Sequence, residues 1–168
     1  IEGRLSGYGF NVTGLDISAE ALKCAPDSIR TFAGSAESMP FTESSFDAVI
    51  YVASLQFIED YRKALQQTLK VLRPNGRIIV MLLNPESDFF KNRLREPDSY
   101  VNLIKHKSLG NIEDVIKEFY TVQTEYILGV KGDRILKSNN PSEAALYVIY
   151  GTIKNNFIDE NTQRQREK

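Results

Sequence analysis

The sequence predicts an α/β domain built on a layered, largely parallel sheet, and three observations carry that prediction. Ala48-Val49-Ile50 and the run from Arg77 to Leu83 are apolar without alternation, which suits strands covered on both faces. Glu59 to Leu72 lies between them as an amphipathic helix. Its stripe is Tyr61, Leu65, Leu69 and Leu72, and Arg62, Lys63, Gln66, Gln67 and Lys70 mark the wet side. Upstream, Asn11 to Asp16 reads as a short strand ending in a carboxylate.

Composition narrows the field. A chain of 168 residues with 42% hydrophobic and 26% charged residues is long enough for one domain with a real core. Its 21 basic and 22 acidic residues leave a formal net charge of -1, which gives no electrostatic reason to expect nucleic acid or an anionic membrane as partner. The single cysteine, Cys24, rules out an internal disulfide and fits a reducing compartment. No apolar run approaches 18 residues and the start lacks a signal-peptide pattern, so the expected location is cytoplasmic. No metal-ligand cluster, internal repeat or second-domain linker is visible.

Taken in order, the chain opens on Ile1-Glu2-Gly3-Arg4, the recognition tetrapeptide of a protease used to remove fusion tags. An engineered scar and a native start both remain open. Ile1, Leu5 and Tyr8 at i, i+4 and i+7 favour a native helix, with Gly-Tyr-Gly-Phe as its C-cap. After the strand to Asp16, Ser18 is a good N-cap for a helix from Ala19 to about Cys24, which ends before Pro26. An acidic strand end of this kind can accept both hydroxyls of a ribose, since a carboxylate is purely an acceptor. The plainer reading is that Asp16 caps the next helix. Ser28 to Ala33 is strand-like and leads into the loop from Gly34 to Phe41. Phe46 to Tyr51 is the next strand, with Asp47 a structural residue at its entrance. Pro74-Asn75-Gly76 reads as the turn that stops the amphipathic helix before the strand at Arg77. Asn84 to Lys107 is polar and charge-rich with interspersed aromatics. Asn111 is expected to cap a helix carrying Ile112, Val115, Ile116 and Phe119. Tyr120 to Leu128 and Ala144 to Tyr150 read as a reversed strand pair. The lone His106 is expected to be solvated.

Gly34-Ser-Ala-Glu-x-x-Pro-Phe41, followed by Ser45-Phe-Asp-Ala-Val49, resembles the adenine-reading region of class I S-adenosylmethionine (SAM) dependent methyltransferases, and most closely their small-molecule branch, type 11. Leu72-Arg-Pro-Asn-Gly-Arg-Ile-Ile-Val80 is similar to the family's Leu-x-Pro-Gly-Gly block. The resemblance implies a three-layer α/β/α Rossmann-like sheet, mostly parallel with a C-terminal antiparallel pair. It also implies SAM as cofactor, with Asp16 on the ribose, Ile17 packed on the adenine, and Ser35, Ala36 and Glu37 around the adenine edge. Tyr51 and Val52 are then expected on the methionine side. For Tyr51 an aromatic packing role stays open beside a hydrogen bond to cofactor or substrate.

The sequence departs from the family at three places. Ser35 stands where Asp is usual, which takes away a charge while keeping an acceptor. Gln56-Phe57 stands where a Glu-His or His-His pair is common, so no imidazole base is offered. The strand and Gly-x-Gly-x-Gly loop that should precede Asp16 are absent, since Gly3, Gly7 and Gly9 do not follow a strand. The implied domain is therefore partial, over residues 1–153, with a polar tail at 154–168 and the first strand missing. The expected function is methyl transfer to a small-molecule acceptor. The rivals are a non-catalytic methyltransferase-like scaffold and, behind it, a nicotinamide-dependent oxidoreductase.

Overall fold

The computed structural model describes residues 2–132 and 134–157. Ile1 and residues 158–168, with which the expected first helix begins and the expected tail ends, lie outside the described residues. Helix α1 spans Glu2–Gly7 and unwinds at Gly9, whose φ of 87° belongs to the left-handed region that glycine adopts without steric cost. Strand β1, Thr13–Asp16, follows. Ser18 then starts helix α2, Ala19–Leu22, by accepting the Ala21 N–H on its hydroxyl at 3.1 Å. Strand β2, Arg30–Ala33, runs parallel to β1 in a register from Thr13 opposite Arg30 to Asp16 opposite Ala33.

Strand β3, Phe46–Val52, leads through a short 3-10 turn at Leu55–Phe57 to helix α3, Tyr61–Val71, which Asp60 caps by accepting the Lys63 N–H. Strand β4, Leu72–Leu83, starts at once and pairs parallel with β3. Here the structure corrects the expected turn at Pro74-Asn75-Gly76. The three residues lie within the strand as a bulge, because Phe46 faces Leu72 while Ala48 already faces Arg77. Gly76 is needed there: a Cβ would lie 2.8 Å from the Arg73 carbonyl oxygen and 3.0 Å from Leu72 Cβ.

Helix α4, Asp88–Leu94, and a 3-10 turn at Tyr100–Leu103 form the segment after β4. Helix α5 spans Leu109–Phe119, and its cap is Ser108, not Asn111 as expected: the Ser108 hydroxyl accepts the Asn111 N–H. The expected helix face is right, with Ile112, Ile116 and Phe119 buried. Strands β5, Tyr120–Lys131, and β7, Ala144–Ile153, form the reversed pair, and β6, Arg134–Leu136, adds a short edge to β5. Beyond β7, Phe157 still packs on Phe119, with ring centroids 5.7 Å apart.

The strands form two sheets. β1 and β2 pair only with each other, and the larger sheet has the order β3-β4-β7-β5-β6. The main core lies on the larger sheet, where Leu65, Ile78, Val80, Ile112, Ile116 and Ile149 are fully buried under α3 and α5. Each such side chain contributes about 1.5–3 kcal/mol. A smaller cluster of Leu83, Phe90, Val101 and Ile104 packs α4 and the following turn over the end of β4. The two sheets are joined by aromatic edges: Phe41 meets Phe32 at 5.2 Å and Phe46 at 5.0 Å. A cavity of about 330 Å³ at this junction is lined by Thr13, Arg30 and Phe46, the first residues of β1, β2 and β3.

Candidate functional site

At their carboxyl ends, β1 and β2 finish in register and are locked there by the Gly34 N–H donating to the Asp16 carbonyl at 2.9 Å. Asp16 is exposed, and its Oδ1 accepts the Ser18 N–H at 2.8 Å. The capping reading of Asp16 is thus observed on Oδ1, and Oδ2 lies outside that bond. Ile17 projects beside it, 81% exposed. Ser35 caps the 3-10 turn Ala36–Ser38 by accepting the Glu37 N–H at 3.1 Å. The Ala36 N–H, first in that turn, has no partner within it and can meet an outside acceptor. Glu37 turns the other way, and its Oε1 accepts the Asp60 N–H at 3.2 Å, bracing the loop against the start of α3. Ala36 and Met39 pack against the main core, which fixes the loop from behind.

Tyr51 and Val52 end β3 and point differently. Val52 is 38% exposed, while Tyr51 is buried, its hydroxyl 2.7 Å from the Thr68 hydroxyl on α3. Burial pushes the Tyr51 pKa up to about 12 despite the opposing Thr68 bond. The expectation of a Tyr51 hydroxyl reaching cofactor or substrate is thus corrected to a packing role. The phenol is held in the core because α3 supplies a buried polar partner where an apolar wall alone would leave it unpaired. The next residue but one, Ala53, has φ 49°, an uncommon backbone state for a residue with a Cβ, and its N–H donates to the Met81 carbonyl at 2.9 Å.

Two residues beside this mouth have roles that sequence reasoning missed. Gln56 is fully buried; its Nε2 donates to the Leu83 carbonyl at 3.1 Å and its Oε1 accepts the Leu83 N–H at 2.7 Å. Its own carbonyl accepts the N–H groups of Lys105 and His106. His106 is not solvated as expected: its Nε2 sits 2.9 Å from the Ile58 carbonyl and 3.1 Å from that of Glu59, and its ring meets Tyr61 edge-on. Both residues fasten the segment from 84 to 106 over the strand ends. The signal available was a long amide in an otherwise apolar stretch. Asp47 is structural as expected and pairs with Arg73 on the surface. Cys24 is exposed and free. Among the described residues no group of three or more His, Cys, Asp or Glu could hold a metal ion, and no helix is long and apolar enough to cross a membrane.

The arrangement offers a carboxylate oxygen, an exposed aliphatic side chain and a free N–H at adjacent strand ends, the donor set of a nucleoside site. It fits the ribose and adenine of SAM.

Comparison with known proteins agrees. Residues 3–80 match the family model of a methyltransferase domain. A demethylmenaquinone methyltransferase of Renibacterium salmoninarum is 38% identical over 76 residues, 43% of this chain and 32% of that protein. The biotin biosynthesis bifunctional protein BioHC of Cellvibrio japonicus is 26% identical over 120 residues, 68% of this chain and 24% of that protein. The matched stretch thus spans a third or less of these two relatives' length. Among solved structures, a SAM-dependent methyltransferase of Thermotoga maritima, described as a possible histamine N-methyltransferase, superposes with a TM-score of 0.75. It is 21% identical, over 91% of this chain and 78% of the other, and so shares the fold. The family model covers residues 3–80 and the sheet shares the methyltransferase fold, so over that stretch the chain is similar to SAM-dependent methyltransferases.

Proposed function

We propose that this chain belongs to an enzyme that transfers a methyl group from SAM to a small-molecule acceptor, working in the cytoplasm. The observation that supports the reading is the pairing of Asp16 with Ala33, which brings the acidic end of β1 level with the end of β2 from which the Ser35–Glu37 turn leaves. Asp16 binds the ribose hydroxyls, Ile17 covers one adenine face, and Ala36 with Ser35 reads the adenine edge. Glu37 positions that turn through Asp60. Val52, with the Tyr51 backbone, borders the methionine side. The methyltransferase domain is assigned to residues 1–153 as a partial unit, and residues 154–168 to a polar tail.

SAM supplies a methyl group already activated on a sulfonium. The protein's own share is to hold that group in line with the acceptor, at about 3–3.5 Å, and to exclude water. No base is assigned. The relatives' names make a quinone-type ring the acceptor class to assay first.

Calorimetry with S-adenosylhomocysteine on the full-length protein tests the reading. Micromolar binding is expected, with at least tenfold loss in Asp16→Ala, about 1.4 kcal/mol. An unchanged affinity in that variant would retire the ribose assignment. The commitment of Gln56 and of the Tyr51 hydroxyl to structural bonds favours a second reading, a non-catalytic scaffold. That reading predicts no heat with S-adenosylhomocysteine. A titration with NADH separates off the oxidoreductase.

A further inference from the structure

Where α3 and α5 begin, a cavity of about 260 Å³ is lined by Tyr61, Lys105, His106, Lys107, Ser108 and Asn111. None of the residues assigned to SAM lines it. The turn that carries its three basic residues is fixed by the fold itself. The Lys105 and His106 N–H groups both donate to the Gln56 carbonyl at 3.1 Å. The His106 ring is held from two sides, by the Ile58 and Glu59 carbonyls at Nε2 and by the Tyr61 ring, whose centroid lies 4.7 Å away. Groups held in place beforehand lose little freedom when a ligand binds.

The lining is rich in hydrogen-bond donors and holds no carboxylate. Two carbonyl oxygens at His106 Nε2 require the proton on that nitrogen, which leaves Nδ1 without a partner among the described residues. Nδ1 becomes a further donor once the ring is charged. The Ser108 hydroxyl accepts the Asn111 N–H at 3.3 Å and keeps its own proton to donate, and Asn111 adds an amide. Of the two ammonium groups, Lys105 is taken by Glu59 at 2.5 Å. Lys107 is exposed and has no ion pair or hydrogen bond among the described residues, so its charge is the uncompensated one.

We propose that this cavity binds a phosphate group, either the free ion or the end of a small phosphorylated molecule, with Lys107 as its counter-charge. At about 260 Å³ the cavity is smaller than the roughly 300–1,000 Å³ of sites that enclose a whole drug-sized ligand, which suits one anionic group. Phosphate is favoured over a carboxylate because it brings more charge and more acceptor oxygens to a lining of donors. The inference stands on the cavity and its side chains, and not on the cofactor assignment.

Two-dimensional NMR at constant ionic strength tests this, with inorganic phosphate, phenyl phosphate and acetate as probes and chloride as the control. Phosphate is expected to move the Lys107 and Ser108 amide signals and the His106 ring signals along one saturable curve. Lys107→Glu should weaken binding about tenfold or more, the order of one hydrogen bond to a charged group, while Lys107→Arg keeps most of it. Lys70→Glu makes the same charge change in the last turn of α3 and should leave binding unaltered. Absence of a saturable shift overturns the proposal. So do shifts that chloride reproduces, shifts that survive Lys107→Glu, and acetate binding as tightly as phosphate. Tighter binding of phenyl phosphate than of phosphate assigns the site to a phosphorylated molecule, and the reverse order to the free ion. Failure here leaves the SAM reading to be judged by calorimetry alone.

Discussion

The two sheets of this chain are made from similar residues and differ in what covers them. β4, with Ile78, Val80 and Leu82, is paired on both edges and packed under α3 and α5. β1 and β2, with Leu15 and Phe32, contain no buried residue, and neither does α2. Rigidity and the proposed ligand contact thereby fall in separate places. The larger sheet carries the stability of the fold, while the smaller one carries the exposed carboxylate and the free N–H. Local stability follows buried apolar contacts, so the ligand-facing region is the one expected to open at lower free energy.

Four measurements put this contrast at risk, taken from the largest effect. Ile116→Ala, in the main core, is expected to cost about 2–5 kcal/mol in urea unfolding; a loss below about 1 kcal/mol would mean that the larger sheet is not the stability centre. Gln56→Ala leaves the Leu83 N–H and carbonyl buried and unpaired, at a cost of about 1–3 kcal/mol. Faster exchange of the 84–106 segment should accompany it. A loss of stability without that loosening would show that Gln56 packs and does not fasten.

Tyr120→Phe goes the other way. The Tyr120 hydroxyl is buried without a partner, and burial drives its pKa far upward, so removing it should be neutral or stabilising by up to about 1 kcal/mol. A clear destabilisation would mean that the hydroxyl has a partner in solution. The smallest effect belongs to the smaller sheet. Asp16→Ala removes one exposed cap bond to the Ser18 N–H and should change global stability by less than about 1 kcal/mol, although nucleoside binding falls about tenfold. If it unfolded the protein, the separation of stability from function would fail.

How far the sequence could be read depended on the kind of interaction. Continuous apolar runs marked β3 and the interior half of β4, periodicity marked α3 and the buried face of α5, and the acidic strand end with the Gly34 loop marked the side proposed to hold a nucleoside. Each rests on a pattern within one turn or one strand. Pro74-Asn75-Gly76 misled because turn residues also make bulges, and only the pairing of Phe46 with Leu72 shows that the strand has already begun. Asn111 misled because Ser108, three residues earlier, competes for the same cap.

Residue order was enough for the element types, the reversed strand pair and the residues at the carboxyl ends, because these follow from backbone preference and from which side chains water rejects. It was not enough for the direction of Tyr51, the fastening by Gln56 and His106, the brace of Glu37 on α3, or the division into two sheets. Those were set when the layers packed. They are contacts between residues as much as 50 positions apart in the chain, and a buried hydroxyl or amide takes whichever partner the assembled layers bring within bonding distance.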